Sequence, residues 1–321
     1  MTAGIVFPYL YMAPIQGVTN HFYRDVYSKY FSGYDAVVTP FVASSQGSQV
    51  KRARLKDILP ECNNFAGKII PQILSKDADD FMVLAKAMFD LGYDTVNWNL
   101  GCPLPKVRNK DRGSGLMAYP DKIVSILEQV MPNIPNKLSL KVRLGRENSE
   151  DILRLLPRLN VFPLEEIIIH PRTGKQMYKG VADVDAFAVC LPLTKHTVVY
   201  NGDINSIETF KKLNSRFPKI KRWMIGRGGI ADPFLPEAIK GISSATKEER
   251  AKKFMAFHNA LLAVYQENYS GSAHVLDKMK ELWFYWSKNI EKGNVLYQKI
   301  CRAKTVEKYF SEIGLWFNLM S

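Results

Sequence analysis

Residues 99–103, Asn99-Leu100-Gly101-Cys102-Pro103, set a thiol in a tight turn directly after Thr95-Val96-Asn97-Trp98, an apolar run with the composition of a strand. Glycine and proline on either side hold that thiol on an irregular segment of the kind that faces a site. A buried structural role is the competing reading, since free cysteine packs as a small hydrophobe. Two glycine-flanked motifs, Asn201-Gly202-Asp203 and Gly226-Arg227-Gly228, offer backbone N–H groups that an anion such as phosphate can approach closely. Lys141 and His170 end apolar runs of their own. They read either as site cations or as a snorkelling lysine and a hydrogen-bonded core histidine.

These residues share a position relative to the elements that would carry them. Eight short apolar or β-branched segments recur: 9–12, 36–39, 69–74, 95–99, 138–142, 167–170, 197–200 and 222–225. Most are separated by amphipathic stretches of helical length, such as 77–91 and 121–131. The alternation predicts an α/β fold, a closed (β/α)₈ TIM barrel, whose chemistry lies on the loops after the strands. Ala13-Pro14, Gln72, Asn99 to Cys102, Lys141 to Arg143, His170 to Arg172, Asn201 to Asp203 and Gly226 to Gly228 all fall at such ends. The two glycine motifs then follow strands seven and eight, where barrels commonly bind phosphate. From about Gly241 the strand signals stop. Residues 1–241 are therefore expected to form the barrel and 242–321 an all-helical domain, opening at Ser243-Ser244-Ala245-Thr246 ahead of Lys247-Glu248-Glu249.

Composition narrows the partners. Lysine and arginine number 44 against 31 acidic residues, a formal charge of +13 that suits an anionic partner such as nucleic acid. Cysteines at 62, 102, 190 and 301 have no metal-ligand spacing, so no metal is expected. No basic leader with a long apolar stretch opens the chain, and no run approaches the length of a membrane span, which predicts a cytoplasmic protein without membrane attachment. Basic residues concentrate at Lys106, Arg108, Lys110 and Arg112, beside the thiol, and at Lys51, Arg52, Arg54 and Lys56.

The pattern N-x-G-C-P-x-x-K-V at 99–107, followed by G-S-x-L-M at 113–117, resembles the tRNA-dihydrouridine synthases. That resemblance covers almost the whole chain and implies reduction of a uridine in the tRNA D-loop, with flavin mononucleotide (FMN) as hydride donor and NADPH as the source of electrons. It implies FMN contacts from Met12, Ala13 and Pro14 under the ring, from Gln72, Lys141 and His170 around it, and from Asn201, Gly202, Asp203, Gly226 and Arg227 toward the phosphate. Cys102 would give the proton to carbon 5, a role that suits a thiol protonated at neutral pH. Asn99, Arg143 and Tyr178 would meet the uracil. Lys106 and Arg108, with Lys278 and Lys280 of the helical region, would meet the tRNA, and the protein would act as a monomer. The segment 274–283 is most similar to the bacterial branch acting at position 16. Four positions depart from the family wording: Gln16, Pro40, Asn97 and Pro171. Two other readings stay open, an FMN-dependent barrel oxidoreductase acting on a small molecule and a non-catalytic tRNA-binding protein.

Overall fold

The computed structural model describes residues 7–47, 50–242 and 246–320, the last six by backbone alone. Its strands are β1 (Tyr9–Met12), β2 (Ala36–Val38), β3 (Val42–Ala43), β4 (Lys68–Ile70), β5 (Gln72–Leu74), β6 (Thr95–Leu100), β7 (Lys137–Gly145), β8 (Ile167–Thr173), β9 (Val198–Tyr200) and β10 (Arg222–Ile225). Every pairing is parallel, in the order β3-β5-β6-β7-β8-β9-β10-β1-β2-β4. Each of the segments expected as strands is one. The third is split at Pro71, which has no N–H to give to a ladder. Its first half pairs with β2 and its second with β6, so the continuous run 68–74 joins the two margins and closes the barrel. The two-residue β3, beside β5, is an addition that the sequence did not announce.

Burial on both faces explains why the strands are apolar runs and not alternating ones. Tyr11, Ala13, Ala36, Val38, Ile70, Ile168, Val199 and Met224 fill the barrel interior. The neighbours of several of these, Leu10, Ile167, Ile169, Trp223 and Ile225, point outward to the helical layer. Several of those helices start on polar caps: Asn20, Asp77 and Ser206 each accept a backbone N–H three residues on.

Among the described residues, four helices of ten residues or more follow the barrel: Lys247–Asn268, Ser272–Trp286, Gly293–Arg302 and Val306–Met320. Thr246 opens the first with a reciprocal capping box to Glu249, while Ser243 to Ala245 of the expected start lie outside the described residues. These helices dock on the barrel helix His21–Tyr30 through one apolar cluster. At its centre the fully buried Phe257 lies 5.9 Å from Tyr23, 5.0 Å from Phe31 and 6.2 Å from Trp286, ring to ring. Behind it, Trp283 Nε1 donates to Tyr309 Oη at 2.8 Å, and Tyr309 Oη lies 2.5 Å from His258 Nε2. Lys278 Nζ donates to the Gly17 carbonyl, in the loop after β1, at 3.0 Å and meets Glu281 at 3.0 Å. The helix Ser272–Trp286 is thereby brought over the mouth of the barrel.

A core shared by barrel and helices should unfold as one unit. Phe257→Ala is expected to cost about 3–5 kcal/mol and to lower a single urea transition seen alike by far-UV circular dichroism and tryptophan fluorescence. A separate early transition of the helices would contradict the shared core.

Candidate active site

The thiol turn is built from amides. Asn99, at the end of β6, accepts the N–H groups of Gly101 (3.0 Å) and Cys102 (2.8 Å) on its Oδ1, which bends the chain back and points the cysteine inward. Those two backbone donors also settle which end of the amide is oxygen. Its Nδ2 donates to Gln72 Oε1 at 2.6 Å, Gln72 Nε2 donates to Asn97 Oδ1 at 2.7 Å, and Asn97 Nδ2 donates to Ser139 Oγ at 2.8 Å. This buried relay spans β5, β6 and β7. On the far side the Cys102 carbonyl accepts from Ser114 N–H (3.1 Å) and Ser114 Oγ (3.0 Å). Gly113 has φ +56°, and a Cβ there would lie 2.8 Å from the Cys102 carbonyl oxygen; one at Gly115 would run into the Arg108 carbonyl. The second motif is thus the seat of the first. Asn99, expected at the uracil, has most of its amide committed to the turn, with one N–H left over.

A cavity of about 330 Å³ opens above the barrel. Cys102, Gln72, Asn99, Lys141, Arg143, His170, Tyr178 and Arg227 all line it. Burial raises the Cys102 thiol above its ordinary range, against the Leu104 N–H and the nearby Arg143, Lys106 and Lys141, so it keeps its proton at neutral pH. Burial, helped by Arg143, brings Lys141 down to about 7. Arg143 is also buried, which lowers it to about 10; its Nη1 donates to the Thr173 (2.8 Å) and Met177 (2.6 Å) carbonyls, and it stacks 5.3 Å from the Tyr178 ring. His170 is held well below its usual range by burial and by Arg143, Lys141, Arg172 and Arg227, and is therefore neutral. Arg172 Nη1 lies 3.1 Å from His170 Nε2. Since a guanidinium cannot accept, Nε2 is the acceptor and the ring proton is on Nδ1.

The cavity continues into a recess of about 60 Å³ lined by Asn201, Gly202, Asp203, Gly226, Arg227 and Gly228, with Ala13 and Pro14. Gly202 and Gly228 are required by close packing, since a Cβ would meet the Tyr200 hydroxyl in one case and the Ile204 carbonyl in the other. Asn201 Nδ2 donates to the Met224 carbonyl at 3.0 Å. Asp203, expected toward the phosphate, accepts instead from Arg172 (2.6 Å), the Ala182 N–H (2.8 Å) and Arg227 (2.9 Å). A carboxylate would repel an anion, and here it aligns two guanidiniums. Met12 is not brought to the cavity: it is buried in the cluster under the C-terminal helices. Arg172, noted at a strand end, was given no role by the sequence reading. Its signal was its place two residues after His170 on the same strand, so that both side chains leave the same face.

The basic candidates separate. Lys106 is exposed and Arg108 half-buried on the short helix Pro105–Arg108 beside the thiol turn. Lys280 is half-buried, with no hydrogen bond or ion pair among the described residues. Lys278 is engaged by Gly17 and Glu281, so it ties the helix to the barrel and has one N–H donor left over. In the other cluster Arg52 pairs with Glu61 and Arg54 with Ser45 and the Ala43 carbonyl. Of the departures from family wording, Gln16 and Pro40 line the cavity, Asn97 belongs to the amide relay, and Pro171 gives its carbonyl to the Asp183 N–H at 2.7 Å. Phe41 from the β3 side and Phe284, Tyr285 and Lys288 from the C-terminal helices complete the wall. No helix among the described residues is long and apolar enough to cross a membrane, and no group of three metal-ligating side chains occurs among them.

Comparison with known proteins shows the family of the chain. The model of the family described as dihydrouridine synthase (Dus) matches residues 11–313. The chain is 27% identical over 227 residues to tRNA-dihydrouridine synthase B of Pasteurella multocida, covering 70% of this chain and 67% of that protein. It is 25% identical over 328 residues to a probable tRNA-dihydrouridine synthase of Helicobacter pylori, covering 97% and 96%. Among solved structures, an old yellow enzyme homologue from Zymomonas mobilis superposes with a TM-score of 0.54 at 12% identity, over 74% of this chain and 89% of that one, a likeness of fold.

Two measurements check the site itself. Alkylation of Cys102 by iodoacetamide should be slow at neutral pH and rise about ten-fold per pH unit through the mildly alkaline range, because only the thiolate reacts; a pH-independent rate would mean a thiol ionised already. In ¹⁵N-histidine spectra, the His170 signal, assigned by its loss in His170→Gln, should show a neutral ring protonated at Nδ1, and Arg172→Met should redistribute the proton between the nitrogens. An Nε2-protonated ring in the unaltered protein would refute the assignment.

Proposed function

Since the chain belongs to the dihydrouridine synthase family, we propose that it reduces a uridine in the D-loop of tRNA to 5,6-dihydrouridine, using FMN and NADPH, as a monomer in the cytoplasm. Residues 1–241 would carry the chemistry and 242–321 the grip on RNA, apart from the wall that Phe284, Tyr285 and Lys288 add to the cavity. The observation that carries the reading is a thiol facing a cavity whose walls hold more cations than anions. Lys141, Arg143, Arg172 and Arg227 converge there, and Asp203 is the carboxylate paired with any of them among the described residues. Such an excess suits an anionic flavin and its phosphate.

FMN held there would, when reduced, supply the hydride for carbon 6 of the uracil. Lys141, His170 and Gln72 would hold its ring, His170 as a neutral donor through Nδ1, and Arg227 with the backbone at Gly226 and the Asn201 end would hold its phosphate. Cys102 holds the proton destined for carbon 5, and the residual N–H of Asn99 and the guanidinium of Arg143 balance charge that develops on the uracil oxygens. Tyr178, with Arg143 at 5.3 Å and Arg227 at 5.0 Å from its ring, walls the base.

Incubation of unmodified tRNA with the FMN-loaded protein and NADPH, followed by mass spectrometry of nucleosides, should show a gain of about two daltons at a D-loop uridine. Cys102→Ala should lower the rate about 10²-fold or more while leaving the flavin bound. Product absent with the unaltered protein overturns the reading, and turnover of a small enone alone would favour a small-molecule reductase. FMN binding at mildly alkaline pH should also take up protons, because an anion favours the charged form of Lys141. Titration calorimetry in buffers of differing ionisation enthalpy reads this, and Lys141→Met should abolish it.

A further inference from the structure

We propose that Phe284 is a stacking platform for the nucleotide adjoining the uridine that is reduced, an inference that rests on the tRNA reading above. On the helix Ser272–Trp286, Leu282, Trp283 and Trp286 are at most 1% exposed and belong to the apolar cluster. Phe284 lies on the other side, meets Tyr297 of the next helix at its edge at 6.0 Å, and is still 45% exposed, so these contacts leave much of the ring uncovered. It lines the same cavity as Cys102, Lys141 and Arg143, although some 180 residues separate it from the thiol turn in sequence. Tyr285 stands nearly perpendicular beside it, 5.1 Å and 83° away, and Lys288 Nζ lies 4.1 Å over the Phe284 ring and 5.5 Å from Tyr285.

An exposed aromatic ring with an ammonium over one face has its other face for a base and a cation for the phosphate next to it. The other exposed ring at the cavity, Tyr178, stands on the barrel side and is backed by Arg143 and Arg227. The two rings therefore offer one surface within the barrel and one from the helices. Drawing a uridine into the cavity unstacks its neighbour, and a ring at the mouth recovers that lost stacking without reading sequence. The nicotinamide donor, the other flat ligand of this site, carries its own rings and phosphates, and the test below distinguishes it.

The experiment compares the FMN-loaded protein with Phe284→Ala and Phe284→Trp, on unmodified tRNA and with NADPH varied separately. Phe284→Ala should raise KM for tRNA about ten-fold or more, with kcat within about two-fold and the rate of flavin reduction by NADPH in the absence of tRNA unchanged; Phe284→Trp should restore KM. An unchanged KM for tRNA overturns the proposal. A rise confined to KM for NADPH assigns the ring to the electron donor and also overturns it. A joint fall of kcat and of thermal stability makes Phe284 a packing residue. If the unaltered protein forms no dihydrouridine, the proposed function fails and takes this inference with it, whereas product from the unaltered protein with equal KM in all three fails the inference alone.

Discussion

Lys141, Arg143, Arg172 and Arg227 bring positive charge to one end of a closed barrel, and two of these side chains, Arg143 and Arg172, are 1% exposed. Cations taken out of water repel each other and lose solvation, so they persist only where something compensates. Part of the compensation is internal: carbonyls of Thr173 and Met177 for Arg143, and Asp203 shared between Arg172 and Arg227. The remainder shows as depressed basicity, in Lys141 near 7 and in a neutral His170. A site arranged in this way favours anionic ligands and, with burial, keeps His170 neutral.

Neutral groups do the positioning. The amide relay from Asn99 through Gln72 and Asn97 to Ser139 ties three neighbouring strands below the thiol, and every member is buried and paired. Its geometry decides where Cys102 sits, because the same Asn99 oxygen that ends the relay accepts the turn's N–H groups. Asn97 serves both neighbours as acceptor and donor, which a carboxylate in its place could not do while ionised. A low-dielectric relay of this sort is stiff and leaves the thiol little freedom.

The helical region is part of the cavity and not an attachment to it. Its apolar face packs on the helix His21–Tyr30, Lys278 anchors it to the loop after β1, and the result is that Phe284, Tyr285 and Lys288 reach the barrel mouth. Trp283 and Trp286, which share that helix, are core residues, so one helix divides its aromatic side chains between stability and the site.

By itself the sequence determined the barrel, since parallel strands buried on both faces must be apolar runs, and it determined which loops carry chemistry, since they follow those runs. The turn at Cys102, the glycine motifs and the placement of Lys141 and His170 were legible for the same reason: they depend on local spacing. The split at Pro71, the short β3 and the commitments of Asp203, Asn99 and Lys278 were not, because each is settled by a partner distant in the chain, such as Arg172 and Arg227 for the carboxylate or Gly17 for the lysine. A residue type says what a side chain can bond, and only packing says what it has left to offer. Tertiary structure alone decided that Met12 is core, that Arg172 fixes the tautomer of His170, and that Phe284 faces the thiol's cavity, since burial and long-range contact leave no local trace in sequence.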